Sequence, residues 1–92
     1  MEEGINEEVK SIVRTLLTRK RIGGVHTPEA QLFRKFKNIH DKEIRKKIDE
    51  DWKQLETFGY LIRMKKRTKK GTDYHVSLNP KRVFEIKEWI EG

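Results

Sequence analysis

The apolar residues of this chain change their period at Gly59. Before it they recur in steps of three and four: Val9, Ile12, Val13, Leu16 and Leu17, then Leu32, Phe33 and Phe36, then Ile44, Ile48, Trp52 and Leu55. After it Tyr74, Val76 and Leu78 alternate strictly with His75 and Ser77. The first spacing lays one stripe along a helix and the second lays one face along a strand. Three helical segments followed by a strand pair restrict the chain to an α+β fold, and 92 residues make one domain, 1–92, with a single modest core.

The boundaries carry their own chemistry. Asn6 caps the first helix, with Glu7 and Glu8 facing its positive end, and Gly23-Gly24 reads as its stop. Val25 and His26 read as a short strand. Thr27-Pro28-Glu29 reads as a second start, with Thr27 as cap and Pro28 in the first helical position. Asn38, Ile39 and His40 lead out of that helix, and Asp41 opens a longer one that closes at Phe58 and Gly59. Leu61, Ile62 and Met64 begin a strand, Gly71 marks its connection to the return strand, and Asn79-Pro80 ends the pair. A last helix from about Lys81 offers Val83, Phe84, Ile86, Trp89 and Ile90 to the core. Trp52 is expected inside, the Tyr74 ring inward, and Tyr60 beneath the hairpin.

The chain is 40% charged and carries a formal +7. The surplus is local: residues 59–75 hold six cations against Asp73 alone, and Arg19, Lys20 and Arg21 make a second cluster. Interspersed signs would suit a merely solvated surface, whereas a concentrated surplus suits a polyanionic partner. A row of cations at a hairpin also discourages edge pairing between sheets, but one or two would suffice for that.

Several function classes have no support. The chain has no cysteine, hence no disulfide framework, thiolate nucleophile or Cys-based zinc site. His26, His40 and His75 stand in three different elements without metal-ligand spacing, so no metal or other cofactor is expected. No glycine-rich phosphate loop, Gly-x-Ser-x-Gly or HExxH occurs, and Asp49, Glu50 and Asp51 point in different directions around a helix, so no catalytic residue is assigned. No apolar run approaches the roughly 18 residues that span a bilayer, and the start is acidic where a signal peptide is basic, so a soluble, cytoplasmic protein is expected.

Helix, short strand, helix, turn, helix and hairpin is the order of a winged helix-turn-helix, and from about Glu7 to Leu78 the sequence resembles that superfamily, with an additional C-terminal helix. RIGGVHTPE (21–29) and HVSLNPKR (75–82) are similar to segments of small archaeal winged-helix proteins. The resemblance implies a DNA-binding fold in a cytoplasmic archaeal protein, with MKKRTKKGTDY (64–74) as the wing. By that analogy Arg63, Lys65, Lys66, Arg67, Lys69 and Lys70 meet phosphates, and the third helix enters the major groove.

On that helix Lys42, Arg45, Lys46 and Asp49 are the candidates to face bases, Arg45 first because its planar fork matches guanine O6 and N7. The competing assignment pairs Arg45 with Asp49 and Lys46 with Glu50 one turn on. The expected partner is double-stranded DNA, in a transcriptional regulator or chromosome-associated factor. A protein-docking module and a structured-RNA binder stand as alternatives. A homodimer is expected to use the first and last helices.

Overall fold

The computed structural model describes residues 4–92 and has four α-helices and one three-stranded antiparallel sheet. In chain order these are α1 (Glu7–Thr18), β1 (Thr27–Pro28), α2 (Glu29–Phe33), α3 (Lys42–Thr57), β2 (Leu61–Thr68), β3 (Gly71–Leu78) and α4 (Val83–Glu91), with 3-10 turns at Arg34–Phe36 and Pro80–Arg82. The sheet order is β1-β3-β2, so the central strand is the last made. None of the described helices is long and apolar enough to cross a membrane.

Asn6 caps α1 as expected, its side-chain oxygen accepting the Glu8 N–H at 2.7 Å. The helix stops earlier than Gly23. Lys20 N–H donates to the Leu17 carbonyl and Arg21 N–H to that of Leu16, the bond pair that closes a helix when the next residue turns left-handed. That residue is Lys20, at φ 55°. Helix α3 ends by the same bonds, from Gly59 to Glu56 and from Tyr60 to Leu55, with Gly59 at φ 82°. One cap therefore uses the residue the geometry favours and the other forces it on a lysine.

The second start also differs from expectation. Thr27 is paired with Val76 in β1 and buried, so its hydroxyl caps nothing, and Pro28 takes the capping position of α2 without a side-chain bond. The short strand lies two residues after Val25 and His26, because Thr27 and Pro28 are the residues that meet the centre of β3. Asp41 caps α3 through bonds from Glu43 and Ile44 N–H groups.

The core joins Val9, Ile12, Val13 and Leu16 of α1 to Ile48, Trp52 and Leu55 of α3, Val76 and Leu78 of β3, and Ile86 of α4. Three expected core residues face out instead: Ile44 on the first turn of α3, Tyr74 toward the hairpin tip, and Phe84, which is 80% exposed. Phe84 stands two positions, about 200° around α4, from buried Ile86 and so on the opposite face of the helix. Ser77, expected on the solvated face, is fully buried because its hydroxyl donates to the Gly23 carbonyl at 2.8 Å. Tyr60 is buried against Phe58 and Trp89 rather than under the hairpin.

Buried Asp51 fastens α3 to the start of α1. One oxygen accepts the Asn6 backbone N–H at 2.7 Å and the other the Lys47 ammonium at 2.8 Å.

Candidate nucleic-acid interface

The hairpin is regular from Leu61↔Leu78 to Thr68↔Gly71, leaving Lys69 and Lys70 as its two-residue turn. Tight hairpin turns usually need positive φ in the turn itself. Here Gly71 supplies it, at φ 136°, and neither lysine does. The Thr68 hydroxyl accepts the Lys70 N–H and donates to the Gly71 carbonyl, which holds the turn from within. Both lysines are thereby exposed at the extreme tip.

Strand parity then sorts the other cations. Arg63, Lys65 and Arg67 share a face with buried Leu61, whereas Lys66 lies on the opposite face with Met64 and His75. The first face looks onto α2 and α3. Lys65, Lys66 and Arg67 are exposed.

Arg63 is not. Its Nε and Nη2 donate to the two carboxylate oxygens of Glu29 at 2.7 and 3.0 Å, and its Nη1 lies 3.6 Å from Glu56. Its Cζ lies 4.3 Å from the centre of the Tyr74 ring, and the Trp52 indole N–H donates to the same Glu29 at 3.0 Å. The hydrogen bond from Arg63 to Glu29 raises the arginine pKa above its ordinary value, against the effect of partial burial. Arg63, expected among the phosphate contacts, thus ties β2 to α2 and α3.

Between the hairpin, α2 and α3 lies an open cleft of about 770 Å³, with Asp49 and Lys53 on one wall and Thr72, Asp73 and Tyr74 on the other. At about 100° per residue, Lys42 and Arg45 fall on the same stripe of α3 as Asp49 and Lys53. Lys42, Arg45, Lys46 and Asp49 are all exposed. Of the two expected pairings along the helix, Lys46 approaches Glu50 only at 4.0 Å between exposed side chains, and no Arg45–Asp49 ion pair occurs among the described residues. The front half of α3 thus keeps Lys42, Arg45 and Lys46 exposed while Lys47 is paired with Asp51, on a helix that shares a cleft with the hairpin.

Two histidines that seemed unrelated meet. Pro28 pairs with His75, which brings His26 alongside, Nδ1 to Nδ1 at 2.9 Å with the rings edge to face. Partial burial, then Lys66, then His75 itself lower the His26 pKa. Among the described residues no group of three or more His, Cys, Asp or Glu could hold a metal ion.

On the two helices expected to serve a homodimer, the large apolar residues of α1 are buried or half-buried and Phe84 stands exposed on α4. No family model, curated protein or solved structure matches this chain.

Proposed function

We propose that the chain is a winged helix-turn-helix protein of the cytoplasm that binds double-stranded DNA, as a transcriptional regulator or chromosome-associated factor. Helix α3 lies in the major groove and the hairpin is the wing on the phosphate backbone. The observation that carries the reading is the shared cleft: α3, through Asp49 and Lys53, and the hairpin, through Thr72, Asp73 and Tyr74, wall one opening, and each element bears exposed cations. The element order up to β3, with a long two-stranded hairpin after the third helix, supports it further.

Roles divide by geometry. Lys65, Lys66, Arg67, Lys69 and Lys70 meet phosphates, a task that needs charge and reach but no fixed orientation. Lys42, Arg45 and Lys46 face the groove floor, and Arg45 makes the bidentate contact to guanine. Each phosphate neutralised contributes about 0.9 to the log–log slope of affinity against salt.

The test is a salt titration of binding to random-sequence duplex DNA. The native protein gives a steep slope, and replacing the five wing cations with glutamate flattens it by about 4 or more. An unchanged slope in that variant removes the wing from the interface. Absence of micromolar binding at physiological salt removes the reading as a whole.

The mixed lining of the cleft favours a second reading. Asp49, Asp73 and half-exposed Tyr74 suit a protein segment better than a phosphate, so a docking module is the rival. It requires that α3 signals shift in NMR spectra with a protein partner and stay still with duplex DNA or structured RNA.

A further inference from the structure

The geometry points to a second phosphodiester-binding surface, in the groove between α1 and α2, that extends the nucleic-acid interface beyond the hairpin and α3. This rests on the nucleic-acid reading above.

The sequence is unusual here. Between residues 9 and 40 the chain has eight lysines and arginines and one acid, Glu29, a larger surplus than that of the hairpin segment. That single acid is turned into the cleft and occupied by Arg63 and Trp52. Among the described residues only Lys10 of the eight is ion-paired, to Glu7.

The fold gathers them. Ser11, Arg14, Thr15, Thr18 and Arg19 recur at helical spacing and form one polar face of α1. They line two adjoining depressions that share Thr15 and Arg19, and the second is completed by Gln31, Leu32, Arg34 and Lys35. No carboxylate lines either depression, whereas the hairpin cleft has Glu29, Asp49 and Asp73, and the hollow on the far side of α3 has Glu43 and Glu50. Among the described residues Arg14, Arg19, Arg34 and Lys35 form no ion pair.

Lys35 is also positioned. Its ammonium donates to the Ser11 hydroxyl at 2.7 Å, which bridges from the turn after α2 to α1 and holds the charge over the groove. Gln31 and Arg34 line both this groove and the hairpin cleft, so the two surfaces meet along α2. A cationic surface with guanidinium and hydroxyl donors fits a run of phosphates and offers nothing to read bases. Its ligand is therefore the sugar-phosphate backbone of the same nucleic acid, outside the segment gripped by α3 and the wing.

The experiment compares two variant sets by fluorescence anisotropy, on a random-sequence duplex longer than the 40 Å extent of the protein. The groove set is Arg14→Gln, Arg19→Gln and Lys35→Gln. The wing set is Lys65→Gln, Arg67→Gln and Lys69→Gln. Each set flattens the salt slope by about 2 to 3, and at about 0.15 M salt each weakens binding on the order of 100-fold if the affinity extrapolated to 1 M is unchanged.

A groove set with native slope and affinity, beside a weakened wing set, overturns this inference and leaves the wing reading intact. A weakened groove set beside an unaffected wing set supports the groove and overturns the wing. Absence of salt-dependent binding by the native protein overturns both. Arg14→Lys with Arg19→Lys retains the slope; if it loses as much as the glutamine set, charge is not what the groove supplies and the proposal falls. Poly-glutamate at matched charge competes poorly, and equal competition would make the groove a site for acidic protein instead.

Discussion

Arg63 and Glu29 form a two-bond ion pair between β2 and the first turn of α2, at 2.7 and 3.0 Å, with both side chains about four-fifths shielded. Planar guanidinium and carboxylate meet in the geometry that makes such pairs strong. Removing one partner strands the other, so Glu29→Ala, which also orphans the Trp52 N–H, costs about 2–3 kcal/mol in urea unfolding. Arg63→Gln lowers stability yet leaves the DNA salt slope unchanged, unlike Lys65→Gln. A flattened slope in the Arg63 variant would return it to the interface.

Lys20 closes α1 at φ 55°, where a side chain is unfavourable. Lys20→Gly relieves this without removing any ion pair formed among the described residues. Its stability rises by about 0.5–1 kcal/mol, although glycine also gains more freedom in the unfolded chain. A thermal melt below that of the native protein would mean that Lys20 contributes a contact outweighing its backbone cost.

The His26–His75 contact sets a pH dependence. One ring must donate and the other accept, so a second proton breaks the bond. The His26 pKa lies below the ordinary 6.5, through partial burial, then Lys66, then His75. The unfolded chain therefore takes up a proton at His26 before the folded one does. Stability associated with this residue is fully present above about pH 6.5 and is lost as pH falls below it. Melts between about pH 7.5 and about pH 5.5 show a smaller loss in His26→Gln than in the native protein. In an NMR titration Lys66→Gln moves the His26 pKa back upward; an unmoved value would rule Lys66 out as a cause.

Asp51 offers a sharper distinction. Asp51→Ala leaves the Asn6 N–H and Lys47 without their acceptor and costs about 2–3 kcal/mol. Asp51→Asn keeps a carbonyl for Asn6 and loses the ion pair, so its cost is about half as large. Equal losses in urea unfolding would mean that the ion pair, and not the Asn6 bond, dominates.

Much of the architecture was legible from local signals. Asn6, Asp41 and Gly59 mark helix ends where the structure has them, because caps are satisfied by residues one to three positions away. The end of α1 was not legible, since the left-handed turn falls on a lysine that carries no turn signature. The burial of Ser77 was equally silent: its partner is the Gly23 carbonyl, brought alongside only when the loop after α1 lies against β3.

The candidate site divides in the same way. A concentration of cations in residues 59–75 is a property of the chain, and so is their alternation between two faces. Arg63 carried a readable hint, standing two residues after Leu61 and so on the inward face. The identity of its partner was not readable, because Glu29 is 34 residues away and α2 must dock before the two can meet.

Composition and periodicity by themselves determined the order of the main elements, most of the apolar stripes and the charge surplus, since these depend on neighbours within a few residues. Only the tertiary structure decided which cations are spent on carboxylates and which remain in solvent. Ion pairing falls off steeply with distance and burial, and both are set by how α1, α2, α3 and the hairpin pack.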